Sequence, residues 1–184
     1  AGGAGRLDAD DLRLWVANRY YYQTRIPIKD ALILSKAEDA GFRRVWIQRL
    51  IDHDGAPAAL AGDDARGAGG GLELWRRLGR ALSLTPGELA QGSALLPAVK
   101  HACDDYVELV RSSDLVTAVA ASLTEYFAGG LMQARIEAWQ RHYPFVAAEA
   151  LAYFRERVRR APEDADFALA YVAAHATNEA ALER

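Results

Sequence analysis

Alanine supplies roughly a fifth of this 184-residue chain, and no segment alternates apolar and polar residues over the length of a strand. Pro27, Pro86, Pro97, Pro144 and Pro162 fall at plausible helix boundaries. Helix propensity therefore dominates, and the pattern predicts an all-α fold, a compact helical bundle forming one domain over residues 1–184. Asp10 can cap a helix through Leu12, Trp15, Val16, Arg19, Tyr20 and Gln23, and Pro27 can start another through Ala31, Leu32 and Leu34. A third is expected over about 38–53. Residues 56–71 hold five glycines and read as a flexible Gly/Ala-rich surface loop. Helix resumes at 72–82, and Thr85 with Pro86 marks a new start. Longer helices are expected over most of 96–160, interrupted at Gly129-Gly130 and at Tyr143-Pro144, with a last one beginning near Pro162.

Lys and Arg number 22 against 25 Asp and Glu, a formal charge of -3, which argues against a general polyanion surface and hence against nucleic acid. Cys103 is the only cysteine, so neither an intramolecular disulfide nor a cysteine zinc site can form, and a reducing cytoplasm fits. No run reaches the roughly 18 to 20 apolar residues of a membrane span, since Leu115–Leu123 is soon followed by Glu125. The first residues carry neither an initiator methionine nor a signal pattern, and both ends read as cut.

Polar residues stand at helical spacing among bulky ones. Arg19, Tyr22 and Gln23 share adjoining parts of one face, as do Arg49 with His53 and Tyr153 with Arg157. Glu125, preceded by Thr124, follows an uncharged segment. A carboxylate there requires a basic partner or a polar cavity, and Arg is the expected partner type. Each cation can equally be a solvated helix face, and a lone helical His is often structural.

No Glu-x-x-His, His-x-x-x-His or His-Glu-x-x-His occurs, and a helix splays Asp52, His53 and Asp54 apart, so no metal is expected. A P-loop, a Gly-x-Gly-x-x-Gly fingerprint and a Gly-x-Ser-x-Gly elbow are also missing.

Five segments carry a resemblance: Arg19-Tyr-Tyr-Tyr-Gln23, Ile26-Pro-Ile-Lys-Asp30, Trp46-Ile-Gln-Arg49 followed by Asp52-His-Asp-Gly55, Ser122-Leu-Thr-Glu125, and Tyr153-Phe-Arg-Glu-Arg157. With Asp164-Ala-Asp-Phe-Ala168 they span about 8–178 in order, and together they resemble the pyrroloquinoline-quinone synthase family. The resemblance implies a haem-oxygenase-like bundle, usually a homodimer, that needs neither metal nor organic redox cofactor. It also implies a reaction in which a bicyclic quinone precursor closes its third ring and is oxidised to pyrroloquinoline quinone (PQQ). Dioxygen is the co-substrate and hydrogen peroxide is released.

A small polycarboxylate quinone accounts for gathered cations, because Arg forks bind carboxylates bidentately and Lys adds a point charge. By position in the resemblance, Arg19, Lys29, Arg49 and Arg135 take this role. The resemblance likewise assigns Tyr22, Gln23, Tyr106, Thr124 and Glu125 to a hydrogen-bonding wall, makes His53 the candidate general base, and places His53, Tyr153 and Arg157 in the oxygen-side group. The family pattern can carry a His where this chain has Met132, which donates neither hydrogen bond nor proton. An N-terminal Tyr-His pair and a C-terminal Lys of the family have no counterpart here, so the pocket is expected to be open, and loop 56–71 is either a lid or an inert insertion. Two other readings keep the fold. One is a quinone-binding or helix-packing module without turnover. The other is a thiaminase-like enzyme using Cys103, against which Asp104 and Asp105 argue by raising the thiol pKa.

Overall fold

The structure, a computed structural model, describes residues 2–56 and 69–176. Its α-helices are α1 (Ala9–Lys36), α2 (Ala40–Asp54), α3 (Gly70–Ala81), α4 (Pro86–Gln91), α5 (Pro97–Ser112), α6 (Leu115–Ala121), α7 (Ala128–His142) and α8 (Ala152–His175). Short 3-10 turns at Gly2–Ala4, Ser122–Glu125 and Ala148–Leu151 complete the list, and there is no strand among the described residues. The all-α expectation holds.

Several boundaries differ from those read off the sequence. Asp8, rather than Asp10, caps α1 through a box with Asp11. α1 then runs straight past Pro27, and α8 past Pro162, although a helix-interior proline costs about 3 kcal/mol. Burial overrides the local preference: Ile26, Pro27, Lys29 and Asp30 are all enclosed, and their packing keeps the chain helical on both sides of Pro27. Gly129 and Gly130 do not interrupt a helix but sit in the first turn of α7, where Gly129 faces Pro162 of α8. The break falls earlier, at Ser122–Glu125, where three residues per turn put Ser122 and Glu125 on one side. Thr85 and Pro86 start α4 as expected. Of the expected loop 56–71, residues 57–68 lie outside the described residues, while Gly70 and Gly71 already belong to α3. The segment Leu115–His142 is long and apolar enough on average for a bilayer span, yet it consists of α6, the 3-10 turn with buried Glu125, and α7.

Two apolar clusters sit at either end of the long helices. The first gathers Leu12, Val16 and Tyr20 of α1, Trp75 and Leu78 of α3, Met132, Ile136 and Trp139 of α7, and Tyr153 and Phe154 of α8. The second gathers Ile33 of α1, Phe42 and Trp46 of α2, Val110 of α5, Ala118 and Val119 of α6, and Ala168 of α8. Between them α1 contributes buried Gln23, Lys29 and Asp30, α2 contributes Arg49 and His53, and α8 contributes Arg157. α1 and α8 thus run from the first cluster through a polar layer to the second, and α2 crosses it in the opposite sense. Helical spacing explains the inward aim, since Trp46, Arg49 and His53, like Tyr153 and Arg157, recur every three or four residues.

Phe154 is fully enclosed, with ring centroids of Trp75 and Trp139 each at 5.7 Å. Phe154→Ala should therefore cost about 3–5 kcal/mol, read from urea unfolding. A loss below about 1 kcal/mol would contradict this packing.

Candidate active site

Three cations and three carboxylates interlock in the polar layer. Lys29 Nζ lies 2.9 Å from Asp30 Oδ1, donates to Ser122 Oγ at 3.1 Å and stands 4.0 Å from Glu125. Arg49 reaches Glu125 Oε2 at 2.6 Å, Asp30 Oδ1 at 3.4 Å and Asp164 at 3.8 Å. Arg157 binds the same Glu125 oxygen at 3.1 Å and Asp164 at 3.0 Å. Burial alone would raise the Glu125 carboxyl, but Arg49, Lys29 and Arg157 together drive it far below the ordinary carboxylate range. Burial pulls Lys29 down, and Asp30, Tyr106 and Glu125 together more than reverse this, so the ammonium stays charged. Asp164 is raised by burial against the pull of Arg49 and Arg157.

His53 is 4% exposed and its Nδ1 contacts the carbonyl oxygen of Arg49 at 3.2 Å. A carbonyl only accepts, so this hydrogen bond requires the proton on Nδ1 and leaves Nε2 with the basic lone pair. Nε2 is buried without a hydrogen-bond partner among the described residues. Burial pushes the imidazole below its usual pKa, with Glu125 and Asp30 opposing and Arg157 adding to the effect. In the same layer, Tyr153 donates its hydroxyl hydrogen to Gln23 Oε1 at 2.8 Å, and burial raises its phenol.

A cavity of about 390 Å³ opens against this layer, lined by Arg19, Tyr22, Cys103, Tyr106, Thr124, Glu125, Phe127 and Met132, among others. Tyr22 and Tyr106 stack with centroids 6.4 Å apart, Arg19 lies 4.1 Å over the Tyr22 ring, and burial raises the Tyr22 phenol. Of the expected substrate residues, Arg19, Tyr22, Tyr106, Thr124 and Glu125 therefore reach the cavity wall. Gln23, Lys29 and Arg49, with His53, Tyr153 and Arg157, form the buried layer behind Glu125. Lys29 and Arg49 turn their charge on protein carboxylates. Arg135 faces a second, more apolar cavity of about 560 Å³, held over the Trp15 ring at 5.0 Å and 3.4 Å from Met132 Sδ. Arg19 and Arg135 have no carboxylate partner among the described residues.

The sequence of these helices and the TENA/THI-4/PQQC family profile coincide over residues 3–182. The chain belongs to this family. Pyrroloquinoline-quinone synthases of Pseudomonas putida strains F1 and KT2440 are each 43% identical to it over 180 residues, covering 98% of this chain and 68% of theirs. That of Pseudomonas syringae pv. tomato DC3000 is 42% identical over the same share. Membership in the TENA/THI-4/PQQC family accounts for the haem-oxygenase-like arrangement of helices described above.

Sequence reasoning gave no role to Asp30, Asp164 or Ser122. A signal was available: five candidate cations against one buried carboxylate demanded more counter-charge than Glu125 supplies. No three His, Cys, Asp or Glu side chains gather as metal ligands among the described residues. Cys103 is buried in the cavity wall with its thiol raised mainly by burial, Asp104 adding and Arg19 opposing, and Asp105 taking no part.

Acid sensitivity follows from two of these groups. Glu125 has a folded pKa below its unfolded value of about 4.3, so its contribution is complete above that pH and is lost as pH falls towards the folded value. His53 is also depressed, so below about 6.5 the unfolded chain binds more protons and stability again falls with acid. Urea midpoints should decline from about pH 7 to 4, and His53→Gln should flatten the upper part of that slope, below about 6.5. Glu125→Gln should cost about 3–5 kcal/mol at neutral pH by leaving two arginines under-compensated.

Proposed function

We propose that this chain is a pyrroloquinoline-quinone synthase, a cofactorless oxidase that closes the last ring of a bicyclic quinone precursor and oxidises it to PQQ. Dioxygen takes the electrons and leaves as hydrogen peroxide, and the enzyme works as a cytoplasmic homodimer. The observation that carries the reading is His53: a buried imidazole in the field of Arg157, with Nδ1 tied to a carbonyl and Nε2 unpaired among the described residues. The names of the Pseudomonas relatives support it.

Oxidation by dioxygen without a cofactor requires an electron-rich substrate anion, formed by removing protons. His53 Nε2 has the lone pair for that step, and its lowered pKa keeps it unprotonated at neutral pH. Arg157, fixed by Glu125 and Asp164, presents positive charge where reduced oxygen species would form. Tyr153, locked on Gln23, supplies an oriented hydroxyl. Arg19, at the cavity wall and paired with no carboxylate among the described residues, is placed to clamp a substrate carboxylate, while Tyr22 and Tyr106 offer a stacking wall. One observation favours binding without turnover: Lys29 and Arg49 are engaged by protein carboxylates instead of facing the cavity.

Incubation with the bicyclic precursor in air separates the two readings. Quinone absorbance should rise together with peroxide, whereas tight binding with neither change would end the oxidase assignment. His53→Ala should lower kcat by about 10²–10⁴-fold with little change in KM, because base catalysis belongs to the transition state. Arg19→Ala should raise KM and spare kcat, since a carboxylate clamp acts on both states. Equal effects of the two substitutions on both constants would contradict this division.

A further inference from the structure

Asp30 is wholly enclosed on α1. Its Oδ1 serves three groups: Lys29 Nζ at 2.9 Å, Arg49 Nε at 3.4 Å, and the Trp46 indole, which donates at 3.2 Å. Its Oδ2 is buried with no hydrogen-bond partner among the described residues. An enclosed carboxylate with a bare oxygen is costly, and an apolar residue of similar volume would pack at lower cost. The position of the charge is what distinguishes it. Asp30 stands behind the two cations whose other side faces Glu125: its Oδ1 forms an ion pair with Arg49 Nε without a hydrogen bond there, while Arg49 Nη2 donates to Glu125. The main-chain carbonyl of the same Arg49 holds Nδ1 of His53.

We propose that Asp30 is a positioning residue of the oxidation: it fixes Lys29 and Arg49 from behind and tunes His53 as a base, without touching substrate. The proposal rests on His53 being the base of the reaction proposed above. The groups that act on His53 are Glu125 from the 3-10 turn, Arg157 from α8, Asp30 from α1 and the Arg49 carbonyl of its own helix. α3 approaches this turn through Gly70, where an added Cβ would stand 2.6 Å from the His53 carbonyl oxygen. Among these groups the two carboxylates favour the imidazolium and Arg157 disfavours it. Removing the Asp30 charge leaves Lys29, Arg49 and Arg157 against Glu125 and Asp164, so the surroundings of His53 become net positive. Its protonated form is then less favoured still.

Asp30→Asn in the full chain tests this through the His53 ring-proton NMR titration, assigned by comparison with His53→Gln, and through the pH profile of precursor oxidation. Both midpoints should move to lower pH by about half a unit or more, with kcat lowered more than KM is raised, and Asp30→Glu should restore both. If the single variant does not fold, Lys29→Met with Asp30→Asn keeps the layer neutral, and the downward movement should persist at reduced size, because Asp30 acts on His53 directly and Lys29 is not among the groups that do. A purely structural Asp30 would lower the melting temperature and the active fraction while leaving both midpoints unmoved, which would overturn the proposal. The titration needs no turnover. A His53 shift on Asp30→Asn, with a wild-type protein that oxidises no precursor, would sink the oxidase reading and keep the placement of Asp30, whereas an unshifted titration on Asp30→Asn with an active wild-type enzyme would do the reverse.

Discussion

Enclosing Lys29, Arg49 or Arg157 alone in this bundle would cost several kcal/mol each, and what makes it tolerable is the interlocking of the three with Asp30, Glu125 and Asp164. The match is local and neutral, so it does not depend on the overall charge of -3. It also dictates the path of the chain. α1, α2, α8 and the 3-10 turn must all pass through one layer, and each gives up a stretch of apolar face to do so. The two hydrophobic clusters are the consequence, since apolar contacts can close only above and below a layer already filled with charge.

Much of this was legible in the residues. Alanine content, the absence of alternation and the Thr85–Pro86 start sufficed for an all-helical chain, because they reflect local energetics that the tertiary structure does not oppose. Pro27 and Pro162 misled for the opposite reason. A proline weakens a helix by a fixed local amount, while the burial that holds α1 and α8 together is contributed by distant segments. In the site, Glu125 announced itself through its uncharged surroundings and found the arginine partners its position demanded. Asp30 and Asp164 did not, since each sits beside other charged residues in sequence and only the fold shows which of them turns inward.

The cavity divides the cations into two kinds. Those behind Glu125 are neutralised before any ligand arrives and serve to shape the field around His53 and Tyr153. Arg19 and Arg135 are not, and burial with mutual repulsion from Arg19 lowers the pKa of Arg135. An anion entering near them relieves a repulsion already present in the protein, which makes charge selection a property of the resting structure. Met132, lying between Arg135 and the cavity, gives that arginine a soft and weak acceptor where a nitrogen base would compete for its proton donors.

The start of α3 lies against the end of α2: Gly70 has φ +56° and contacts the backbone of Gly55 and His53, and Gly71 packs on the Tyr153 ring. The end of α2 and the start of α3 are therefore held together at one point of the bundle. For any connection whose ends already touch, adding residues costs only about 0.6 kcal/mol per doubling in length. Evolution can thus lengthen or shorten the sequence between these two glycine-bearing ends at small cost to the bundle, and the geometry around His53 and Tyr153 is insulated from that variation.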